Sequence, residues 1–372
     1  KDVNAVILTH SHLDHSGAVP IFYINDKKPL YTNKLSLDLT QLLVQDFIHL
    51  SGYYLPFEYL ELKTMMNSNK HLDFGVEETI GDMKMKLFNA GHTPGSAQVL
   101  LEAEGKRFLY TGDFNLEDSK LLAGASMDYG DLDAVVIEST YADADHTVRS
   151  ELEKQFVEAC TEVAEVGGTV LVPSFGVGRS QEMATVLAAH HFDYPVTLDG
   201  MAREASRVIM NYKEFLKDPK LFMNAMHSAD WVEGWRDRRQ ALKTPGVIIS
   251  TAGMLKGGPA AFYVSKLGNQ PKNAVFLVSY QIPGTPGREL MEKGVCTIDG
   301  QVRKIKAKYR HFDFSSHCGA SMLKESLRRL GGNPKVFVVH GAEGNCELFA
   351  NWAKTELGLD AGAPKTGETY QI

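Results

Sequence analysis

Thr9-His10-Ser11-His12-Leu13-Asp14-His15 is the stretch around which the chain is organised. The apolar run from Val3 to Leu8 before it reads as a buried strand, and Ser16-Gly17-Ala18-Val19 after it as the start of a helix. Three imidazoles and a carboxylate are therefore crowded into a strand-to-helix turn. Imidazole is a borderline ligand and carboxylate a hard one, a mixture that suits zinc or a similar divalent ion.

The same arrangement recurs along the chain. A strand predicted from Met83 to Phe88 leads to Gly91-His92, one from Arg107 to Tyr110 leads to Gly112-Asp113, and one from Ala134 to Ile137 leads to Glu138-Ser139-Thr140-Tyr141. Near the end, Phe314-Ser315-Ser316 precedes His317, and a strand from Lys335 to Val339 ends at His340-Gly341. Strands that are buried supply rigidity, and the loops leaving them can converge on one rim.

Between these segments the texture is that of alternating strands and helices. Helices are expected over Ser36–Leu50 (with Ser36 as N-cap), Glu151–Glu165, Ser180–Ala189, Arg203–Leu216 and Ala320–Leu330. Strands are expected over 169–172, 246–250 and 275–279, which points to a second α/β unit with a parallel sheet. Residues 361–372 carry little pattern.

Composition narrows the function. The chain has 372 residues, 44% hydrophobic and 23% charged, with a net charge of -7. That balance argues against a protein that coats nucleic acid through overall positive charge, so a polyanion would be met locally or through metal. Cys160, Cys296, Cys318 and Cys346 are scattered, which fits reduced thiols in a cytoplasmic protein. No membrane span or signal peptide is expected, since Lys1 leads directly into a core strand.

If His10, His12, Asp14, His15, His92, Asp113 and His340 converge, they are too many for one tetrahedral zinc and suit two metals with open positions. Asp113 is the natural bridging carboxylate. The leaving oxygen of a hydrolysed phosphodiester then needs a proton, which His317 can supply with Glu138 orienting it; His311 is the competing donor. Arg179 and Arg288, beside glycine-bearing loops, are candidate phosphate contacts, against the alternative of plain packing turns. Lys304, Lys306, Lys308 and Arg310 alternate with apolar residues as one strand face, solvated or part of the path of a polyanion. His49, His71, His146, His190, His191 and His227 have no ligand spacing and read as surface or structural.

His10-Ser11-His12-Leu13-Asp14-His15, Gly91-His92 and Gly112-Asp113 resemble the metal motifs of the metallo-β-lactamase fold. Glu138-Ser139-Thr140-Tyr141, Phe314-Ser315-Ser316-His317 and Val339-His340-Gly341 resemble the three additional motifs of the β-CASP nucleases, in the form found in the cleavage-and-polyadenylation branch. Gly178-Arg179-Ser180-Gln181-Glu182, Gly253-Met254-Leu255 and Gly284-Thr285-Pro286-Gly287-Arg288 are similar to segments of the β-CASP insert.

The resemblance implies an α/β fold: a metallo-β-lactamase αββα sandwich over residues 1–142 and 311–372, with an α/β β-CASP domain inserted over 143–310. It implies two Zn2+ per chain, one held by His10, His12, His92 and Asp113 and the other by Asp14, His15, Asp113 and His340. Asp14, Glu138 and His317 would be the catalytic residues. The implied function is hydrolysis of single-stranded RNA, endonucleolytic, with 5′→3′ exonucleolytic action open, by a homodimer. An inactive RNA-binding scaffold and a hydrolase of small esters are the alternatives. The family has strands ahead of the first ligand loop that are absent from this sequence, so either a fragment or an unrepresented start is expected. Ala342 separates Gly341 from Glu343 where relatives run Gly-Glu, and Glu343 is assigned no role.

Overall fold

A computed structural model describes residues 3–51 and 54–372. The chain forms two compact units: Lys1–Asp118, Leu122–Asp145 and Ser316–Ile372 make the first, and Ser119–Leu121 with His146–Ser315 the second.

The first unit opens with β1 (Val6–Ile7), α1 (Leu13–Ser16), β2 (Leu30–Thr32), α2 (Lys34–Ser51), α3 (Tyr59–Asn67) and β3 (Asn69–His71). It continues with β4 (Glu77–Ile80), β5 (Met83–Asn89), β6 (Ala97–Ala103), β7 (Lys106–Tyr110) and β8 (Ala134–Glu138). Strands β1, β2 and β3 form a small parallel sheet in that order.

The second unit runs α4 (Arg149–Glu165), β9 (Thr169–Pro173), α5 (Arg179–Ala189), β10 (Val196–Asp199), α6 (Met201–Ile209), α7 (Pro219–Ser228), β11 (Asp230–Trp231) and α8 (Trp235–Ala241). Then come β12 (Gly246–Ser250), α9 (Gly258–Leu267), β13 (Ala274–Leu277), α10 (Pro286–Lys293), β14 (Val295–Ile298), β15 (Gln301–Lys304) and β16 (Lys308–His311). The first unit resumes with α11 (Ala320–Arg329), β17 (Lys335–Val339), α12 (Asn345–Leu357) and β18 (Ala361–Gly362).

In the first unit the larger sheet has the order β18-β17-β8-β7-β6-β5-β4. Tyr31 from the small sheet packs with Met85, Leu87, Ala97 and Val99 from the large one, so the two sheets face each other. Leu30, Val44, Leu62 and Met65 bury α2 and α3 on the far side of the small sheet. Leu323, Leu327, Phe349 and Ala350 bury α11 and α12 against Leu109, Val135 and Val336 of the large one. The result is four layers, helix, sheet, sheet, helix.

In the second unit β9, β12 and β13 are buried throughout and mostly apolar, as a parallel sheet covered on both faces requires. The order is β11-β10-β12-β9-β13-β16, all parallel, with β14 and β15 as a separate antiparallel hairpin. Phe156, Phe276, Phe312 and Phe314 stack edge to face in this core.

Several local expectations need correction. The first strand is only two residues long, because β1 is an edge with a single partner, and the helix after it starts at Leu13, inside the ligand stretch. The cap of α2 is Asn33, whose Oδ1 accepts the Ser36 N–H at 2.9 Å; the Ser36 hydroxyl donates instead to the Gly95 carbonyl at 2.7 Å. The helix after Arg203 stops at Ile209, and its continuation is a separate 3-10 turn, Lys213–Phe215. The basic alternation from 303 to 310 is split between β15 and β16, strands of different sheets, and so forms no common face. Residues 361–362 add an edge strand to the large sheet through Val336 and Phe337. Lys1 lies outside the described residues. No described helix is long and apolar enough to cross a membrane.

Candidate metal centre

The candidate ligands follow strands, in the loops after them or, for Asp14 and His15, on the short helix α1. His12 caps α1 in extended conformation, so His10 and His12 lie before the helix while Asp14 and His15 project from its single turn. The loop is fixed from within. The Ser16 hydroxyl donates to the Ser11 carbonyl at 2.8 Å, and the Thr32 hydroxyl donates to the Leu8 carbonyl at 2.9 Å.

The turn after β5 brings in His92. Gly91 sits at φ +67°, where an added Cβ would lie 2.5 Å from the Asn115 carbonyl oxygen, so glycine alone fits. The Ser96 hydroxyl accepts both the His92 and Thr93 N–H groups at 3.1 Å. His92 Nδ1 lies 3.0 Å from the Ser316 carbonyl and therefore carries the proton, leaving Nε2 with a free lone pair. That Nε2 stands 3.1 Å from His12 Nδ1. His10 is fully buried, with Nδ1 3.2 Å from the Thr9 hydroxyl and Nε2 3.6 Å from Asp113 Oδ2.

Asp113, after β7, is the hub. Its Oδ2 is 3.2 Å from His15 Nε2 and 3.7 Å from His92 Nε2, while its Oδ1 is 3.5 Å from His340 Nδ1. His340 Nε2 in turn lies 3.6 Å from Asp14 Oδ2. His340 has φ +50°, a left-handed conformation that a side chain rarely takes and that points to a functional constraint at the end of β17. Donor atoms of His10, His12 and His92 fall within 4.8 Å of one another, as do those of Asp14, His15, Asp113 and His340. The first group is largely enclosed, whereas Asp14 and His340 face solvent.

The electrostatics differ on the two sides. Burial, helped by neighbouring imidazoles, holds His10 and His92 well below the ordinary histidine value, and burial takes His12 down to about 4; all three are neutral and able to ligate. The contact with His340 brings Asp14 down to about 2, and the same contact raises His340 to about 9. Burial pushes the Asp113 carboxyl up, but His15, His92 and the neighbouring imidazoles outweigh it and hold it ionised.

These residues fit divalent cations. His10 Nε2, His15 Nε2 and Asp113 Oδ1 are buried without a hydrogen-bond partner, and orphans of that kind point to an ion. The 3.1 Å between two imidazole nitrogens is close to the edge of a tetrahedron around zinc, about 3.3 Å for bonds of about 2.0–2.1 Å.

Beside this cluster, His317 Nδ1 lies 2.9 Å from both Glu138 oxygens. Glu138 is the last residue of β8 and almost fully buried; it also accepts the Phe114 N–H at 2.9 Å and the Thr140 hydroxyl at 2.5 Å. Burial alone would lower His317, but Glu138 overcomes it and raises the ring above its ordinary value. The His317 ring centroid is 4.5 Å from that of His92.

The other predicted residues lie in the second unit. Arg179 is the first residue of α5, near Glu182 and Asp313, which it helps to keep ionised. Arg288 on α10 pairs with Glu292 one turn on, Nε to Oε1 at 2.6 Å. His311 is exposed at the end of β16. Of the histidines without ligand spacing, His71, His146 and His190 pair with Asp73, Asp313 and Glu153. Cys318 is a buried thiol whose sulfur accepts the Leu116 N–H at 3.3 Å.

Four supporting groups escaped the reading of ligand types. Thr9 orients His10, the Ser316 carbonyl orients His92, and the Thr140 hydroxyl meets both Glu138 and, at 3.2 Å, His340 Nδ1. Asn345 holds this turn by donating to the Thr140 carbonyl at 3.1 Å and to Asp143 at 3.0 Å. Thr140 and Ser316 stood inside quoted motifs and were legible there; Asn345 carried no signal.

Three family models match in succession: residues 1–174 the metallo-beta-lactamase superfamily, 180–290 the Beta-Casp domain, and 302–364 a Zn-dependent metallo-hydrolase RNA specificity domain. The chain is 41% identical over 372 residues to "RNase aCSPSF2" of Saccharolobus solfataricus, covering all of this chain and 75% of that protein. It is 35% identical to "Probable RNase MJ4" of Methanocaldococcus jannaschii, covering all of this chain and 89% of the relative. "Transcription termination factor FttA" of the same organism is also 35% identical, over 94% of this chain and 60% of its own length. With these matches and a buried His/Asp cluster at the strand ends, the chain belongs to the β-CASP branch of the metallo-β-lactamase superfamily of metal-dependent hydrolases.

Proposed function

We propose that this protein hydrolyses phosphodiester bonds of single-stranded RNA, acting as an endonuclease with 5′→3′ exonuclease action as a second mode, in RNA 3′-end processing, transcription termination or decay. The names of its relatives and the RNA specificity match support RNA as the substrate. The observation that carries the chemistry is Asp113, whose carboxylate meets imidazoles of both proposed ligand sets, Oδ2 near His10, His92 and His15 and Oδ1 near His340.

In this reading two zinc ions are held, one by His10, His12, His92 and Asp113, the other by Asp14, His15, Asp113 and His340. When bound, such ions lower the pKa of water toward about 7 and stabilise charge on phosphoryl oxygens. The protein's own groups do the rest. The Ser316 carbonyl holds His92 in the ligating tautomer, and the Thr9 hydroxyl positions the His10 ring. Asp14, ionised and exposed, orients the attacking water. His317, its Nδ1–H fixed by Glu138, presents Nε2 to the leaving oxygen and gives it a proton. Arg179 and Arg288 would contact substrate phosphates.

Residues 1–142 and 311–372 are read as the metallo-β-lactamase domain and 143–310 as the β-CASP insert. A cytoplasmic homodimer belongs to the same proposal, and light scattering on the purified chain checks its mass. The deciding experiment incubates 5′-labelled and 3′-labelled RNA with the protein, with and without a chelator. Internal products that vanish on chelation are expected; full-length RNA in both samples overturns the reading.

A further inference from the structure

The second unit carries an aromatic and basic surface that the catalytic chemistry does not use. Trp235, at the start of α8, is 60% exposed, whereas Trp231 and Trp352 are partly buried. Exposure alone is ordinary for a surface aromatic, as Tyr54 and Tyr280 show; what sets Trp235 apart is its support. This ring is held firmly. The Arg238 guanidinium lies 4.9 Å from its centroid, and Phe262 of α9 meets it edge to face at 5.4 Å. Arg238 is itself fixed by two hydrogen bonds, 2.7 and 2.8 Å, to buried Asp199. The indole therefore rests on a braced support and keeps exposed surface.

The charge around it is uneven. Glu233 is taken up by Arg203 and Arg207, and Asp237 accepts the Glu233 N–H. Arg238 is matched by Asp199. Arg236 and Arg239 are exposed and make no ion pair among the described residues. Arg239 lies one turn from Trp235 on the same helix face, and Arg236 is three residues from Arg239. A rigid, exposed indole flanked by unmatched guanidinium groups is complementary to a base between two phosphates.

We propose that Trp235 stacks on a base of single-stranded RNA while Arg236 and Arg239 contact the neighbouring phosphates, a second RNA contact formed by α8. This rests on RNA being the substrate. It adds length-dependent affinity without sequence preference, because every base has a π-face.

The test uses the full-length protein and a 20-nucleotide oligo(U), mixed by stopped flow and read before turnover. Binding is expected to quench tryptophan fluorescence, and Trp235→Phe should abolish most of the quench. Trp235→Ala should weaken binding about 10-fold. Arg236→Gln with Arg239→Gln keeps the indole and should flatten the dependence of log affinity on log salt by about 0.7 per lost contact. Unaltered affinity in Trp235→Ala together with an unaltered salt slope in the double variant overturns the proposal, even where the wild type cleaves RNA. A wild type that binds with quenching and leaves RNA intact in the presence of zinc sinks the ribonuclease reading and leaves this contact standing.

Discussion

His317 presents its Nδ1 at 2.9 Å to both oxygens of Glu138, a carboxylate that also accepts the Phe114 N–H and the hydroxyl and N–H of Thr140. The imidazole is thereby locked in one orientation with Nε2 directed away from the carboxylate. None of the three partners of Glu138 is a candidate metal ligand in the proposed pair.

His317→Ala is accordingly expected to slow RNA cleavage by about 10²-fold or more while the bound metal stays unchanged. Single-turnover cleavage and metal analysis by mass spectrometry on the same preparation check both halves. Equal rates in variant and wild type remove His317 from the mechanism.

Asp113→Ala removes the group that both sets of imidazoles face. Cleavage should be abolished, and metal content should fall from about two zinc ions per chain to one or fewer. A variant that retains the full complement shows that Asp113 does not bridge.

Thr140→Val deletes one hydroxyl shared between Glu138 and His340. Loss of such a supporting partner typically costs about 10- to 100-fold in metal affinity or activity, and a loss in that range is expected here. A chelator titration separates the effect on the metal from the effect on His317.

Gly91→Ala places a Cβ against the Asn115 carbonyl oxygen and the Ala125 nitrogen, at 2.5 and 2.8 Å, and forces a left-handed φ on alanine. Destabilisation of more than about 1 kcal/mol is expected, with weakened metal binding, measured by urea unfolding of the metal-loaded protein.

In the second unit, Arg149 and Glu182 form a buried ion pair, and Arg149 also donates to the Ser315 carbonyl at 3.2 Å. Burial raises the Glu182 carboxyl, but Arg149 and Arg179 more than offset it and hold it below its ordinary value. A depressed folded-state value stabilises above the unfolded value, near pH 4.3, and that contribution disappears as pH falls through the folded one. Glu182→Gln leaves Arg149 with Glu153, 3.6 Å away, as its remaining carboxylate, and should cost less than the roughly 3–5 kcal/mol of a fully orphaned buried charge at pH 7. The gap from wild type should narrow below about pH 4; a gap independent of pH refutes the charge assignment.

The residue types of the candidate ligands and the inserted α/β domain were legible along the chain. His92 and Asp113 follow β5 and β7 because each strand is paired into the large sheet and a glycine of positive φ behind it turns the next side chain onto the rim. Local limits were less legible. β1 shrank because an edge strand keeps only the pairs its neighbour offers, and the basic alternation after Arg303 broke because a strand's partner decides which face exists.

By itself, the order of amino acids determined which chemical groups are present and which strand ends carry them, since burial of apolar runs and the turn preference of glycine act locally. Only the tertiary structure decided how they are aimed. His92 takes its tautomer from the Ser316 carbonyl, 224 residues away in sequence, and Thr140 reaches His340 across 200 residues. Such hydrogen bonds arise from packing of separate strands, and no local propensity encodes the direction of a lone pair.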